Sequence, residues 1–285
     1  MFRKTLHHIN LQLCFLFLYI RKHLYILRHF PLDFIKTKEK IIISLTSWSK
    51  RISNIPKVID SILENTTLPD IIVINLSLQE FPNKENDIPN EVVKYIKKHE
   101  IEIIWSEKND KAYKKFIPTM MKYPNDAIIC IDDDFIYPKD FISTFVKKHK
   151  EFPKNPLSGN DVFIWGIKAH CGCASLVKKR YFGPYIEELL DEKCIEIGTS
   201  DVFFTLCAAL NYSDYIYVGK QFFFNMETFN SVFGLSDQNF ESNKNSIHNH
   251  LIYKIYKKYY INAFDIKHPY FRNPFRENLF NKKNI

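Results

Sequence analysis

The sequence predicts an α/β layered fold, and three observations carry that prediction. Short β-branched runs alternate with longer helix-like segments from residue 41 onward. The runs at 41–45, 71–76 and 127–131 are apolar almost throughout instead of alternating, which is the pattern of strands covered on both faces. A chain of 285 residues with 46% hydrophobic and 15% aromatic content is also long enough to bury such a core.

The first strand, over 41–45, leads into a loop at 46–51 and a helix over 55–64, with Pro56 near the start where its missing N–H does no harm. A second strand at 71–76 precedes a polar, proline-containing loop and a helix over 90–99. A third strand over 101–105, a helix over 113–122 and a fourth strand over 127–131 complete the regular part. Beyond Pro138 the pattern weakens to a helix over 140–149, an apolar strand over 162–167, a helix over 202–210 and a strand at 215–218. Residues 221–249 are polar and Asn-rich, and 251–260 reads as a basic, aromatic helix.

The net charge of +8 suggests a nucleic-acid partner until it is located. Residues 1–40 hold eight basic side chains against two acidic ones, so six of the eight net charges lie there and no nucleic-acid surface is expected elsewhere. The apolar run at 13–20 falls short of the roughly 20 residues needed to span a bilayer. Arg21, Lys22 and His23 follow it, where a secretory signal would need small residues. Two readings of this basic amphipathic arm stand: an interfacial helix on an anionic membrane, or a helix packed on the main domain or on a second subunit.

The six cysteines (Cys14, Cys130, Cys171, Cys173, Cys194 and Cys207) lack zinc-ribbon spacing and read as reduced, buried thiols, which fits the cytoplasm. The small stretch from Cys171 through Gly172 and Cys173 to Ser175 suits close approach of a ligand, or tight core packing equally well. With seven glycines and no GxGxxG or GxxxxGK[ST] string, the chain has no glycine-rich phosphate loop.

In open α/β sheets ligands bind beyond the carboxyl ends of the strands, which here means loops 46–51, 76–79, 106–115 and 132–134. The last of these is Asp132-Asp133-Asp134. Three adjacent carboxylates raise one another's pKa unless a cation compensates. Alternation along an extended segment turns Asp132 and Asp134 to one side and Asp133 to the other. Such a pair of oxygen ligands suits Mg²⁺ or Mn²⁺ and leaves coordination positions for water and a diphosphate. The bland alternative is a solvated turn ahead of Tyr137-Pro138 that caps the next helix. Arg51 and Lys115, at two other strand ends, are cations placed to meet diphosphate oxygens, or else ordinary surface charge.

The string from Ile128 through Asp132-Asp133-Asp134 to Pro138 resembles the DxD region of glycosyltransferases of the GT-A fold, in the broad inverting family 2-like group. Leu45-Thr46-Ser47-Trp48-Ser49-Lys50-Arg51-Ile52 resembles the first-strand segment of bacterial members, and Asp110 to Pro118 resembles the stretch ahead of the acidic motif. The likeness covers about residues 41–210, with its segments in the family's order. It implies a GT-A-type, Rossmann-like mixed sheet with helices on both faces over a catalytic domain of 41–245, flanked by the arm of 1–40 and a C-terminal helical tail of 246–285.

By position, the resemblance assigns Thr46, Arg51, Asp110, Lys115, Asp132 and Asp133 to the donor side, and Asp132 and Asp134 to a Mn²⁺ or Mg²⁺ ion, with Asp134 the preferred direct ligand. The segment Gly198-Thr199-Ser200-Asp201 resembles the family's later acidic motif, with Ser200 where a second acid is common, and makes Asp201 the base. The competing reading of Asp201 is a carboxylate stabilised by a helix N-terminus. Glu196 is the fallback base, while His248 and His250, outside any distinctive motif, read as ordinary histidines.

The expectation is thus an inverting, metal-dependent transferase. It would move a sugar from a nucleotide-diphosphate sugar to a lipid-linked or surface glycan such as lipopolysaccharide, lipooligosaccharide or capsule. It would work in the cytoplasm, peripheral on the inner face of the plasma membrane if the arm binds lipid. Metal-dependent nucleotidyl or phosphoryl transfer is the competing enzyme reading. A membrane- or nucleic-acid-binding module with a structural Asp triplet is the third.

Overall fold

The computed structural model describes residues 39–159, 162–164, 167–169, 174–197, 200–211, 213 and 215–219. The arm up to residue 38, Cys171-Gly172-Cys173, Gly198-Thr199, the polar stretch 221–249 and the tail 246–285 with His248 and His250 lie outside the described residues.

Strand β1 (Ile41–Thr46) is followed by a 3-10 turn (Ile52–Asn54) and helix α1 (Ile55–Leu63). Ile55, Val58, Ile59 and Ile62 recur at helical spacing and are all fully buried, so packing of this stripe holds α1 against the sheet. Each such side chain contributes about 1.5–3 kcal/mol of burial. Strand β2 (Ile71–Ser77), helix α2 (Asn90–Lys98) and strand β3 (Glu102–Ser106) come next. A 3-10 turn (Lys111–Lys115), helix α3 (Ile117–Lys122), strand β4 (Ala127–Ile131) and helix α4 (Phe141–Glu151) follow.

The expected helix over 113–122 is therefore two pieces. Pro118 has no N–H to give to Lys114, and its ring clashes with the carbonyl four residues back, so the helix restarts at Ile117.

Strand β5 (Leu157–Ser158) opens the second half. The strand expected over 162–167 is instead a small antiparallel pair, β6 (Val162–Ile164) and β7 (Ile167–Ala169). Strand β8 (Ala174–Val177), helices α5 (Tyr185–Leu189), α6 (Glu192–Ile197) and α7 (Ser200–Leu210), and strand β9 (Ile216–Tyr217) complete the described chain.

The main sheet runs β3-β2-β1-β4-β8-β5-β9. Its first four strands are parallel, β8 is antiparallel to both β4 and β5, and β9 is parallel to β5, so the sheet is mixed. Consecutive residues of β1 and β4 are buried, which means that both faces of the sheet are covered. β3 is different: it lies at the edge, and all five of its residues are partly exposed.

The order places a topological switch point at β1. The chain moves outward through β2 and β3, then crosses back to lay β4 on the other side of β1. The crevice at such a point opens between the carboxyl ends of β1 and β4, where Ser47 and Asp132 begin the two loops. Among the described residues no helix is long and apolar enough to cross a membrane. Cys130, Cys194 and Cys207 are buried in the core.

Candidate active site

Two charged loops meet at the switch point. After β4 the chain turns sharply, and the Asp132 N–H donates to the Tyr137 hydroxyl at 2.9 Å, while the Tyr137 N–H donates to Ser61 Oγ of α1 at 3.1 Å. The acidic turn is thereby tied to the helix that follows β1. Side-chain exposure divides along the strand alternation: Asp132 and Asp134 are 26% and 28% exposed, Asp133 only 2%.

Each carboxylate has a partner. Ser47 Oγ donates to Asp133 Oδ2 at 2.5 Å, and Arg51 Nη2 donates to Asp133 Oδ1. The other arm of the same guanidinium, Nη1, donates to Asp134 Oδ2 at 2.8 Å. Arg51 Nε is buried without an acceptor. Asp132 receives Lys115 Nζ, whose side chain is 4% exposed.

Three carboxylates therefore share two cations, and the titration behaviour reflects the shortfall. Burial pushes the Asp133 carboxyl up to about 6, with Arg51 and Ser47 opposing and the neighbouring aspartates adding to the rise. Burial and the charge of Asp132 raise Asp134 as well, despite Arg51. Arg51 moves the other way: burial works against its charge, but Asp133, Asp134 and Asp132 together hold it firmly protonated. A cation surrounded by three anions is reinforced, whereas each anion has only a share of the cation, so these opposite senses are compatible.

Lys115 is positioned from below. Its carbonyl accepts from Ser44 Oγ of β1 at 2.7 Å and from the Cys130 thiol of β4 at 3.2 Å. Ser44 Oγ also meets Thr119 Oγ1 at 2.8 Å, and Asn75 Nδ2 of β2 donates to both oxygens at 3.0 Å. This buried network fixes the Lys115 backbone across three strands. Just ahead, Lys111 takes φ 49°, a left-handed conformation that costs a non-glycine residue about 1–2 kcal/mol and brings the chain sharply into the Lys115 turn.

Lys115 also lies in the field of a fourth carboxylate. Burial works to lower its pKa, and Asp132 and Asp201 together hold it above the usual lysine value. Asp201 stands in the first turn of α7 and is partly exposed. Aromatic packing brings that helix here: the Phe204 ring lies 4.5 Å from Phe116, 5.1 Å from Phe182 and 6.0 Å from Tyr113, and Phe203 lies 5.5 Å from Tyr113. The rings around Lys115 thus clamp α7 over the turn that carries it.

The other sequence-selected residues lie around this core. Thr46 is partly exposed, and its hydroxyl donates to the Asn75 carbonyl at 2.7 Å. Asp110 is also partly exposed; burial raises its carboxyl, with Lys108 and Lys114 opposing. Glu196 is exposed, and its carbonyl accepts from Lys111 Nζ. Sequence reasoning did not single out Ser47 or Tyr137.

The donor set fits a divalent cation by its chemistry. Asp132 and Asp134 offer two partly exposed carboxylates, the three aspartates of the turn outnumber the two cations paired with them, and hard oxygen ligands suit Mg²⁺ or Mn²⁺. Among the described residues, no group of three or more His, Cys, Asp or Glu side chains is arranged to hold a metal ion.

No family model matches the chain, and no curated protein matches it. Among solved structures, it is similar to residues 1–349 of S. aureus TarS in complex with UDP, at 10% identity and TM-score 0.46, covering 65% of this chain and 59% of that one. The same protein with UDP-GlcNAc aligns at 12% identity and TM-score 0.48, covering 76% and 66%. The mannosyltransferase PcManGT from Pyrobaculum calidifontis, in complex with GDP-Man and Mn²⁺, aligns at 12% identity and TM-score 0.48, covering 75% and 64%. The chain spans only 59% and 36% of the first two TarS structures it matches. On its own residues, the protein is a mixed α/β sheet with an acidic, cation-lined crevice at its switch point.

Proposed function

We propose that the chain is a metal-dependent glycosyltransferase that takes a nucleotide-diphosphate sugar in the crevice between β1 and β4. The observation that carries this reading is the pair Asp132 and Asp134, partly exposed at a switch point and flanked by Arg51 and Lys115. Asp134, with Asp132, would hold Mn²⁺ or Mg²⁺. The bound ion would neutralise charge developing on the leaving nucleoside diphosphate.

The protein's own residues do the rest. Arg51 and Lys115 supply donors to the diphosphate oxygens, and Thr46 and Asp110 flank the nucleotide. Asp133, which is buried, supports Arg51 from behind. Asp201 takes the proton of the acceptor hydroxyl as its oxygen attacks the anomeric carbon and the sugar–phosphate bond breaks on the opposite face, which inverts the anomeric centre. The acceptor is a lipid-linked bacterial surface glycan, to which the basic arm of residues 1–40 would hold the enzyme at an anionic membrane.

The test separates donor binding from chemistry. Asp134→Asn is expected to lose metal-assisted donor binding, whereas Asp201→Asn keeps donor binding and loses turnover by about 10²–10⁴-fold. Sustained transfer by Asp201→Asn would remove Asp201 as base, and incorporation of nucleotide or phosphate instead of sugar would move the enzyme to the nucleotidyl or phosphoryl class. Deleting residues 1–30 is expected to reduce vesicle binding while sparing transfer to a soluble acceptor.

A further inference from the structure

Both partly exposed carboxylates of the crevice are already capped by a cation. Asp132 holds Lys115 and Asp134 holds Arg51, at 26% and 28% exposure against 4% and 15% for the bases. A divalent ion cannot join these carboxylates at hydrogen-bonding range of an ammonium and a guanidinium without strong repulsion, because like charges about 4 Å apart in a protein crevice repel by several kcal/mol. The alternative is that the two bases leave the carboxylates.

We propose that Lys115 and Arg51 are resident counter-ions that stand in for the metal's charge in the nucleotide-free protein and transfer to the diphosphate when nucleotide and metal arrive together. This rests on the donor reading above and adds its binding order. Charge balance supports it. The three carboxylates of the turn outnumber the two cations paired with them, before Asp201 is counted. A divalent ion alone raises the net charge by two, and a nucleotide-sugar diphosphate alone, carrying two negative charges, lowers it by two. Both together restore the original balance.

The geometry supplies a second argument. Arg51 Nε is buried with no acceptor, so the guanidinium is incompletely satisfied in its present pairing and has a donor to gain by moving. The Nη2 bond to Asp133, a carboxylate that Ser47 also holds, gives the guanidinium a pivot that keeps the acidic turn in place while Nη1 releases Asp134. Lys115 has its backbone fixed by Ser44 and Cys130, so only its flexible side chain has to move.

Free Mn²⁺ measured by electron paramagnetic resonance, in titrations of the full chain with and without a nucleoside diphosphate, tests the exchange without any turnover. In the wild type, nucleotide is expected to tighten Mn²⁺ binding about tenfold or more. Arg51→Gln is expected to bind Mn²⁺ alone about tenfold more tightly than wild type, since Asp134 is uncapped, and to lose most of the nucleotide-dependent gain. Lys115→Met gives the same pair of changes through Asp132; circular dichroism establishes that each variant is folded, and Arg51→Gln, the less buried of the two, stands alone if Lys115→Met is not. Variants that weaken Mn²⁺ binding in the absence of nucleotide, or that leave the coupling intact, overturn the counter-ion exchange and leave the donor reading standing. Failure of the wild type to bind any nucleoside diphosphate with Mn²⁺ removes both.

Discussion

Arg51→Gln also tests the electrostatics of the crevice through stability. Asp133 is 2% exposed, and its carboxyl sits at about 6 where 3.8 is ordinary, even with Arg51 opposing the shift. The folded protein thus binds this proton more tightly than the unfolded chain does. The contribution of Asp133 to stability falls as pH rises from about 4 to about 6, and is level above that. Without Arg51 the folded-state pKa climbs further, so in the variant the fall continues past about pH 6 at about 1.4 kcal/mol per pH unit. Between about pH 6 and about pH 8 the stability gap between the two proteins widens by up to about 3 kcal/mol. That comes on top of a pH-independent loss of about 1–3 kcal/mol for the charged hydrogen bonds. Groups that titrate alike in both proteins cancel in the difference. Against a total stability of about 5–15 kcal/mol the change is readable by urea denaturation in EDTA-containing buffers. A gap that stays constant across that pH range would refute the claim that Arg51 holds the buried carboxylate ionised.

Two further outcomes follow from the packing around the crevice, and a third from the far end of the sheet. Phe204→Ala empties the centre of the ring cluster at 4.5–6.0 Å and is expected to cost about 3–5 kcal/mol in denaturant, with Phe204→Leu much milder; a loss under about 1 kcal/mol contradicts the clamp on α7. Ser47→Ala leaves one oxygen of a buried carboxylate without its donor and is expected to cost about 1–3 kcal/mol, measured in the same way. At the opposite end of the sheet, burial works to raise the Glu39 carboxyl but His149 and Lys178 bring it down to about 2. A depressed carboxyl stabilises the fold above its unfolded value of 4.5 and loses that contribution as pH falls toward 2. Because Glu39 is 38% exposed the contribution is reduced by solvent to about 1 kcal/mol, and Glu39→Gln is expected to flatten the acid unfolding curve by that amount. Superimposable acid curves contradict it.

The parallel half of the fold is legible in the sequence because its strands carry continuous apolar runs. Ile41 to Leu45, Ile71 to Leu76 and Ala127 to Ile131 announce themselves, and the stripe of α1 does the same at helical period. β8 does not. Its Ala174 and Ser175 are small, and its burial comes from being paired between β4 and β5, which is a long-range property. That one strand makes the sheet mixed. The break at Pro118 is local chemistry, since a proline inside an apolar helical stretch starts a new helix there and cannot continue the old one.

The acidic turn is visible as three consecutive aspartates, and strand alternation sorts them. The choice of partner is not visible, because Arg51 and Lys115 reach the turn from loops 82 and 17 residues away, brought there by sheet order. For the same reason nothing local says that the ring cluster of Tyr113, Phe116 and Phe204 sets α7 and Asp201 over Lys115.

The most direct test of the crevice as a metal-and-donor site is thermal unfolding of the full chain with Mn²⁺, with a panel of nucleoside diphosphates, and with both. Ligands that saturate about 100-fold above Kd add about 2.7 kcal/mol, which is about 5–10 °C for a domain of this size. The expected result is a shift of that order for one nucleotide only when Mn²⁺ is present, absent in Asp134→Asn. A nucleotide that stabilises the protein equally without metal, and equally in Asp134→Asn, would contradict the assignment of Asp132 and Asp134.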